Sequence, residues 1–156
     1  MEITRQADYA VRAVLELALR PESACVVSAD LSLAQNIPAA FLTKICARLA
    51  AAGICLTHRG TNGGIRLSRP AEQISLLDVV EAIDGPITFN RCARQPAECA
   101  HDRICAIHPV WLDVCTEYRS RLARYTFAAM AAQTRGAIST VSAIKFYEEL
   151  PIQHTA

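Results

Sequence analysis

The sequence predicts a mainly α protein interrupted by one small β-hairpin. Three observations carry that class. Apolar residues recur at helical spacing over residues 4–19 and 39–52, strand-like alternation is confined to residues 54–68 around an Asn-Gly pair, and another helical stripe follows residue 109. At 156 residues and 52% hydrophobic content, the chain should form one domain, or one small domain with an appended element, and has ample material for a core. No apolar run approaches the roughly 18 residues of a membrane span. The start, M-E-I-T-R-Q-A-D, lacks the basic-then-apolar order of a signal peptide, so a cytoplasmic protein with no membrane partner is expected. Seven cysteines, an odd count without an export signal, favour reduced or metal-bound thiols over a disulfide framework.

The first helix is expected over residues 4–19, with Ala7, Ala10, Val11, Val14 and Ala18 inward and Arg5, Asp8, Arg12 and Glu16 on the other face. Asp8 and Arg12 are four residues apart and should pair. After the turn R-P-E-S-A, Ser28 is expected to cap a short second helix reaching Gln35. Asn36-Ile-Pro38 breaks the chain, Pro38 opens a third helix reaching Ala52, and Gly53 stops it. In that helix Leu42, Ile45, Cys46 and Leu49 form the inward stripe, leaving Ala40, Thr43, Lys44, Ala47 and Arg48 outward. Small residues flanked by cations suit close approach to base edges and phosphates. Two short helices with this outward face read as a helix-turn-helix, although an αα-hairpin in a bundle shows the same pattern.

The hairpin decides between them. Ile54 to His58 and Ile65 to Ser68 alternate around Arg59-Gly-Thr-Asn-Gly-Gly64, so a hairpin with a basic rim follows the third helix directly, which is the order of a winged helix. Arg59 and Arg66 would reach the backbone or the minor groove. Charge agrees. From Leu31 through Ala71 there is no acidic residue, yet Lys44, Arg48, Arg59, Arg66 and Arg69 all fall there, within a chain of net charge +1.

Ser75 and Asp78 form a capping-box pattern opening a fourth helix, with Leu76, Val79, Val80 and Ile83 as its packing face. Asp84-Gly-Pro86 ends it. The next stretch, R-C-A-R-Q-P-A-E-C-A-H-D-R-I-C-A-I-H, holds Cys92, Cys99 and Cys105 with six and then five residues between them, and His108 follows after two more. Thiolates and an imidazole in one polar loop are the donors of a zinc or iron-sulfur site, and their spacing alone does not choose between the metals. Pro109 fits the first turn of a long helix whose stripe is Trp111, Val114, Cys115, Tyr118, Leu122 and Tyr125. Little remains to cover that stripe, so a second copy of the helix is the expected lid. Thr126 could cap a short helix, F-A-A-M-A-A-Q, and beyond Thr134 only a short helix around residues 141–150 is suggested. Cys25, Cys46, Cys55 and Cys115 read as packing residues.

Taken together, M-x-I-T-x-x-x-D-Y-A-V-R-A at the start, F-L-x-K-I in the third helix, A-G-I-x-L-x-x-R-G-x-N-G-G-I-R-L in the wing and the three-cysteine loop resemble the IscR/NsrR superfamily of winged-helix regulators, over roughly residues 1 to 130. The resemblance implies a homodimeric transcription regulator on double-stranded DNA with a pseudo-palindromic operator. It places Ala40, Phe41, Thr43, Lys44, Arg48, Arg59 and Asn62 at the DNA, and an iron-sulfur cluster on Cys92, Cys99 and Cys105. For the fourth ligand, Cys105-Ala-Ile-His108 matches the Cys-x-x-His of IscR-like proteins and implies a 2Fe-2S cluster. Asp8 matches the carboxylate of NsrR-like nitric-oxide sensors with a 4Fe-4S cluster. His108 is preferred because it is tethered to a cysteine ligand and Pro109 fixes the backbone beside it. A zinc or thiol-redox regulator without iron, and an iron-sulfur electron carrier, are the other readings. No nucleotide-binding glycine loop, G-x-S-x-G or H-E-x-x-H is present, so no enzyme is expected. The resulting division is residues 1–85 for DNA binding, 86–108 for the cluster loop, 109–134 for a dimerisation helix and short helix, and 135–156 for a tail.

Overall fold

A computed structural model describes residues 3–58, 60, 63–94, 99, 101 and 104–148, with side chains through residue 140. Helix α1 (Arg5–Leu19) runs through the middle of the core, with Ala7, Ala10, Ala13, Val14 and Leu17 buried. Thr4 caps it, its Oγ1 accepting from the Ala7 N–H at 3.2 Å. Thr4 also fixes the helix to a later one: its hydroxyl donates to Asp84 Oδ1 at 2.6 Å and its N–H to Asp84 Oδ2 at 3.1 Å.

Helices α2 (Ser28–Gln35) and α3 (Ala39–Ala51) follow. Ser28 is not the cap of α2, as the sequence suggested, but its first helical residue; Val27 takes the cap position without a side-chain hydrogen bond. The cause lies in the wing, because Val26 exchanges backbone hydrogen bonds with Ile65 at 2.9 and 2.8 Å and holds the chain extended up to Val27. The turn between α2 and α3 needs a left-handed residue, supplied by Asn36 at φ 50°, and Ser32 closes it by donating to the Ile37 carbonyl at 2.6 Å.

Strands β1 (Cys55–His58) and β2 (Gly64–Leu67) pair antiparallel, Cys55 opposite Leu67 and His58 opposite Gly64. Gly64 has no alternative there. A Cβ at that position would stand 2.7 Å from the Val26 carbonyl oxygen, so only glycine lets the α1–α2 connection join the base of the hairpin. A single 3-10 turn (Ala71–Gln73) leads to α4 (Leu76–Asp84), which has the expected capping box of Ser75 and Asp78 and buries Val79, Val80 and Ile83.

Two expectations fail beyond α4. The cysteine segment is not all loop, since α5 (Arg91–Arg94) forms one turn carrying Cys92, started by Asn90, whose Oδ1 accepts from the Ala93 N–H at 3.1 Å. After α6 (His108–Ala123), the chain makes no short helix and weak tail but one 22-residue helix, α7 (Phe127–Glu148). Thr126 caps it as expected, accepting from the Ala129 N–H at 3.3 Å. Phe127 and Ala131 are fully buried, and Arg135 donates to the Ala18 carbonyl at 2.9 Å, so α7 returns to pack on α1. That docking supplies what local pattern lacks. No helix among the described residues is long and apolar enough to cross a membrane.

Candidate nucleic-acid interface and cysteine loop

The inward stripe of α3 is buried as predicted, and Ala40, Thr43, Lys44, Ala47 and Arg48 all face solvent. Between this face and the wing lies a groove of about 540 Å³ with Thr43, Ala47, Thr57, His58, Gly63 and Gly64 in its walls. Thr43 donates its hydroxyl to the Ala39 carbonyl at 3.1 Å, which sets its rotamer and leaves the oxygen lone pairs outward to accept. Arg48 Nη1 lies 3.4 Å from Gln6 Oε1 on α1, so its guanidinium hangs at the edge of the helix face. Phe41 is 38% exposed and meets Tyr9 of α1 edge to face, which makes it a brace between the helices as well as a surface residue.

The basic block divides on inspection. Arg69 is not a surface cation for phosphates: it donates to the Gly53 carbonyl at 2.6 Å and the Gln73 carbonyl at 3.1 Å, closing the C-terminal end of α3. Arg66 stays on the outward face of the wing, where its Nε donates to His58 Nε2 at 3.3 Å. His58 went unremarked in the sequence, although the hairpin register puts positions 58 and 66 on the same face. Arg59 and Asn62 lie outside the described residues.

The position of α3 depends on a polar clamp between α1 and the end of α2. Arg12 donates to Asp8 at 2.6 Å and to the Gln35 carbonyl at 3.2 Å, and its guanidinium lies 4.9 Å from the Tyr9 ring centroid. Gln35 in turn donates to the buried Glu16 carboxylate at 2.9 Å, which also accepts from Arg20. The predicted Asp8–Arg12 pair therefore exists, and Asp8 is engaged on its own helix.

The donors of the second site are set out along the segment between α4 and α6. Cys92 sits on α5; Cys99 and Cys105 flank a turn closed by the Ile104 N–H on the His101 carbonyl at 3.0 Å. His108 is the first residue of α6, and its N–H donates to the Cys105 carbonyl at 3.3 Å, with Pro109 next in the first turn. All three cysteines are free and half-buried. Their chemistry fits an iron-sulfur group or zinc, but among the described residues no three Cys, His, Asp or Glu side chains are drawn close enough to hold a metal ion. The segment is tied to the helices on both sides. Glu81 of α4 accepts from the Ile87 N–H at 3.0 Å and pairs with Arg119 of α6 at 2.8 Å, and Phe89 meets Tyr118 edge to face at 5.6 Å.

The remaining thiols differ from expectation at one place. Cys46, Cys55 and Cys115 are buried, whereas Cys25 is exposed beside the base of the wing. Burial pushes Cys46 up to about 11; burial, with Cys46 nearby, pushes Cys55 up to about 12, so neither is a thiolate at neutral pH.

Two helices joined by a left-handed turn and followed directly by a hairpin, in a stretch with no acidic residue from Leu31 through Ala71, define a winged helix-turn-helix. Comparison with known proteins narrows the class. Residues 3–133 match the family profile Rrf2, described as an iron-dependent transcriptional regulator. The chain is 35% identical over 131 residues to a helix-turn-helix-type transcriptional regulator of Mycobacterium tuberculosis, covering 84% of this chain and 81% of that protein. It is 34% identical over 114 residues to the transcriptional regulator IscR of Cronobacter sakazakii, covering 73% and 70%. Among solved structures it resembles CymR, the global cysteine regulator of B. subtilis (TM-score 0.71, 20% identity, 85% of this chain and 98% of that one). It also resembles T. potens IscR (TM-score 0.69, 22% identity, 88% and 90%). The chain belongs to the Rrf2 family: it is a DNA-binding transcription regulator and not an enzyme.

Proposed function

We propose that this regulator is a homodimer whose affinity for a pseudo-palindromic operator is set by an iron-sulfur cluster on Cys92, Cys99, Cys105 and His108. The observation that carries the reading is the run of three free, half-buried thiols leading into an imidazole at the start of α6, in a segment tied to α4 through Glu81 and to α6 through Tyr118. The family's description as iron-dependent supports it. When bound, the cluster supplies a group that can be oxidised, nitrosylated or lost. The residues of the chain translate its presence: ligation of Cys92 and Cys99 restrains α5 and the turn at His101, and the Glu81 and Phe89 contacts pass that restraint to α4 and α6.

His108 is the preferred fourth ligand, which favours a 2Fe-2S cluster. Asp8, the alternative belonging to a 4Fe-4S nitric-oxide sensor, pairs with Arg12 through Oδ2 at 2.6 Å on its own helix, whereas His108 is tethered three residues from Cys105. The homodimer reading rests on α6, where Val110, Trp111 and Val114 are exposed, flanked by exposed Ile107 before it and Tyr125 after it. A second copy packed on this face would set two α3 helices into successive major grooves, where Thr43 and Ala40 would face bases and Lys44 and Arg48 phosphates.

The test is anaerobic purification with iron, sulfide and zinc analysis and an absorption spectrum, on wild type and on Cys92→Ala and Cys99→Ala. Iron and sulfide in the wild type, lost in both variants with helical content kept, is expected. Colourless wild type carrying stoichiometric zinc would overturn the reading.

A further inference from the structure

The wing carries a polar pair that packing of the fold does not require. Arg66 Nε on β2 donates to His58 Nε2 on β1 at 3.3 Å, across the outward face of the hairpin. The register explains how the two meet. His58 stands opposite Gly64 and Leu56 opposite Arg66, so positions 58 and 66 are diagonal neighbours, and glycine leaves no side chain across from the imidazole. Position 64 is glycine because of the Val26 carbonyl, so the residue that lets the α1–α2 connection join the wing also leaves the space beside His58 open to Arg66.

Chemistry gives this contact a use. An imidazole accepts at Nε2 only when its proton is on Nδ1, and a guanidinium that donates through Nε keeps its Nη–H donors for another partner. Because the guanidinium is planar, one fixed hydrogen bond sets its plane and holds the Nη edge ready for an anion that accepts two parallel bonds. The chain supplies no such anion nearby. Residues 31–71 hold no Asp or Glu, and among the described residues Arg66 is paired with no carboxylate. His58 also stands in the wall of the groove that Thr43 and Ala47 of α3 border. We propose that His58 is a positioning residue of the wing, holding the Arg66 guanidinium so that it takes a DNA phosphate beside that groove. The imidazole acts through Arg66 and touches no nucleotide itself. This role rests on the reading that α3 and the wing meet DNA together.

The experiment measures the affinity of the full-length protein, in one anaerobic preparation across a salt series, for a duplex that the wild type selects from a random-sequence library. Thermal melting checks that each variant is folded. Arg66→Ala should weaken binding about tenfold and flatten the dependence of log affinity on log salt by about one unit. His58→Phe should weaken binding about threefold or more, yet change nothing further in the Arg66→Ala background, because its effect passes through the guanidinium. Glutamine carries its amide where Nε2 stands and asparagine where Nδ1 stands, so His58→Gln should recover wild-type affinity and His58→Asn should not. Should His58→Phe melt early, the glutamine and asparagine variants decide alone. Wild-type affinity in a folded His58→Phe, full additivity with Arg66→Ala, or equal affinities of the glutamine and asparagine variants would each overturn the proposal. Lys44→Ala separates it from the reading it rests on. Affinity lost in Lys44→Ala and kept in Arg66→Ala would leave α3 on DNA and remove the wing pair, whereas affinity kept in both would remove the reading of this face as well.

Discussion

Tyr9 of α1 and Phe41 of α3 meet edge to face with ring centroids 5.8 Å apart and planes at 77°. The same Tyr9 ring carries the Arg12 guanidinium, so one side chain joins the helix that presents Asp8 to the helix whose outward face is proposed to meet DNA. Aromatic pairs of this kind contribute about 0.5–1.5 kcal/mol beyond the area they bury. Phe41→Ala and Tyr9→Ala are each expected to cost about 1–2 kcal/mol of stability, and a double-mutant cycle in urea should give a coupling of about 0.5–1.5 kcal/mol. DNA affinity should fall in both single variants. Additive effects would show that the contact does not hold α3.

Thr43 and Lys44 are neighbours on the exposed face of α3 and should separate in function. Removing Lys44 should weaken binding to every sequence and flatten the dependence of log affinity on log salt by about one unit. Thr43→Val, which deletes the outward oxygen at nearly constant volume, should change sequence preference with the salt slope intact. Filter binding across a salt series and a selected-site library reads both.

The exposed face of α6 predicts its own test. Val114 is 37% exposed, as is Trp111, and Val114→Asp leaves the buried Cys115 untouched. Sedimentation should show wild-type dimers and a variant dissociating at least about tenfold more readily, because a charge at the centre of an apolar interface is desolvated without a partner. Unchanged dimers would move the interface elsewhere.

Cys46 and Cys55 set an alkaline limit. In the unfolded chain these thiols ionise near the ordinary value of 9, whereas in the fold they hold their protons to about 11 and about 12. Above pH 9 the unfolded state therefore binds fewer protons, and stability falls with rising pH until the folded thiols also titrate. Urea midpoints between pH 8 and 10.5 should drop less steeply in Cys46→Ala/Cys55→Ala than in wild type. Parallel slopes would refute the assignment.

The winged-helix half was legible because its signals are local. The stripe Leu42, Ile45, Cys46 and Leu49, the Ser75 and Asp78 capping box and the turn glycines each reflect residues close in sequence. What escaped depends on distant partners. Ser28 lost its capping role to a bridge between Val26 and Ile65, and Arg69 left the basic surface for the Gly53 carbonyl. Helix α7 carries Gly136 and several scattered β-branched residues, a poor local pattern, and is held by Phe127, Ala131 and Arg135 docking on the core. The one-turn α5 is too short for any periodicity to reveal. For the cysteine loop, sequence supplied the donors, while the backbone turns closed on the His101 and Cys105 carbonyls emerged only from the fold.

The central claim is that the cysteine loop governs DNA binding. Its most direct test is the affinity of one anaerobic preparation for one selected operator, measured before and after iron is removed by a chelator at constant salt. The account predicts a change of at least about tenfold, equivalent to a coupling of about 1.4 kcal/mol, and its disappearance in Cys99→Ala. Equal affinities before and after iron removal in the wild type would contradict it.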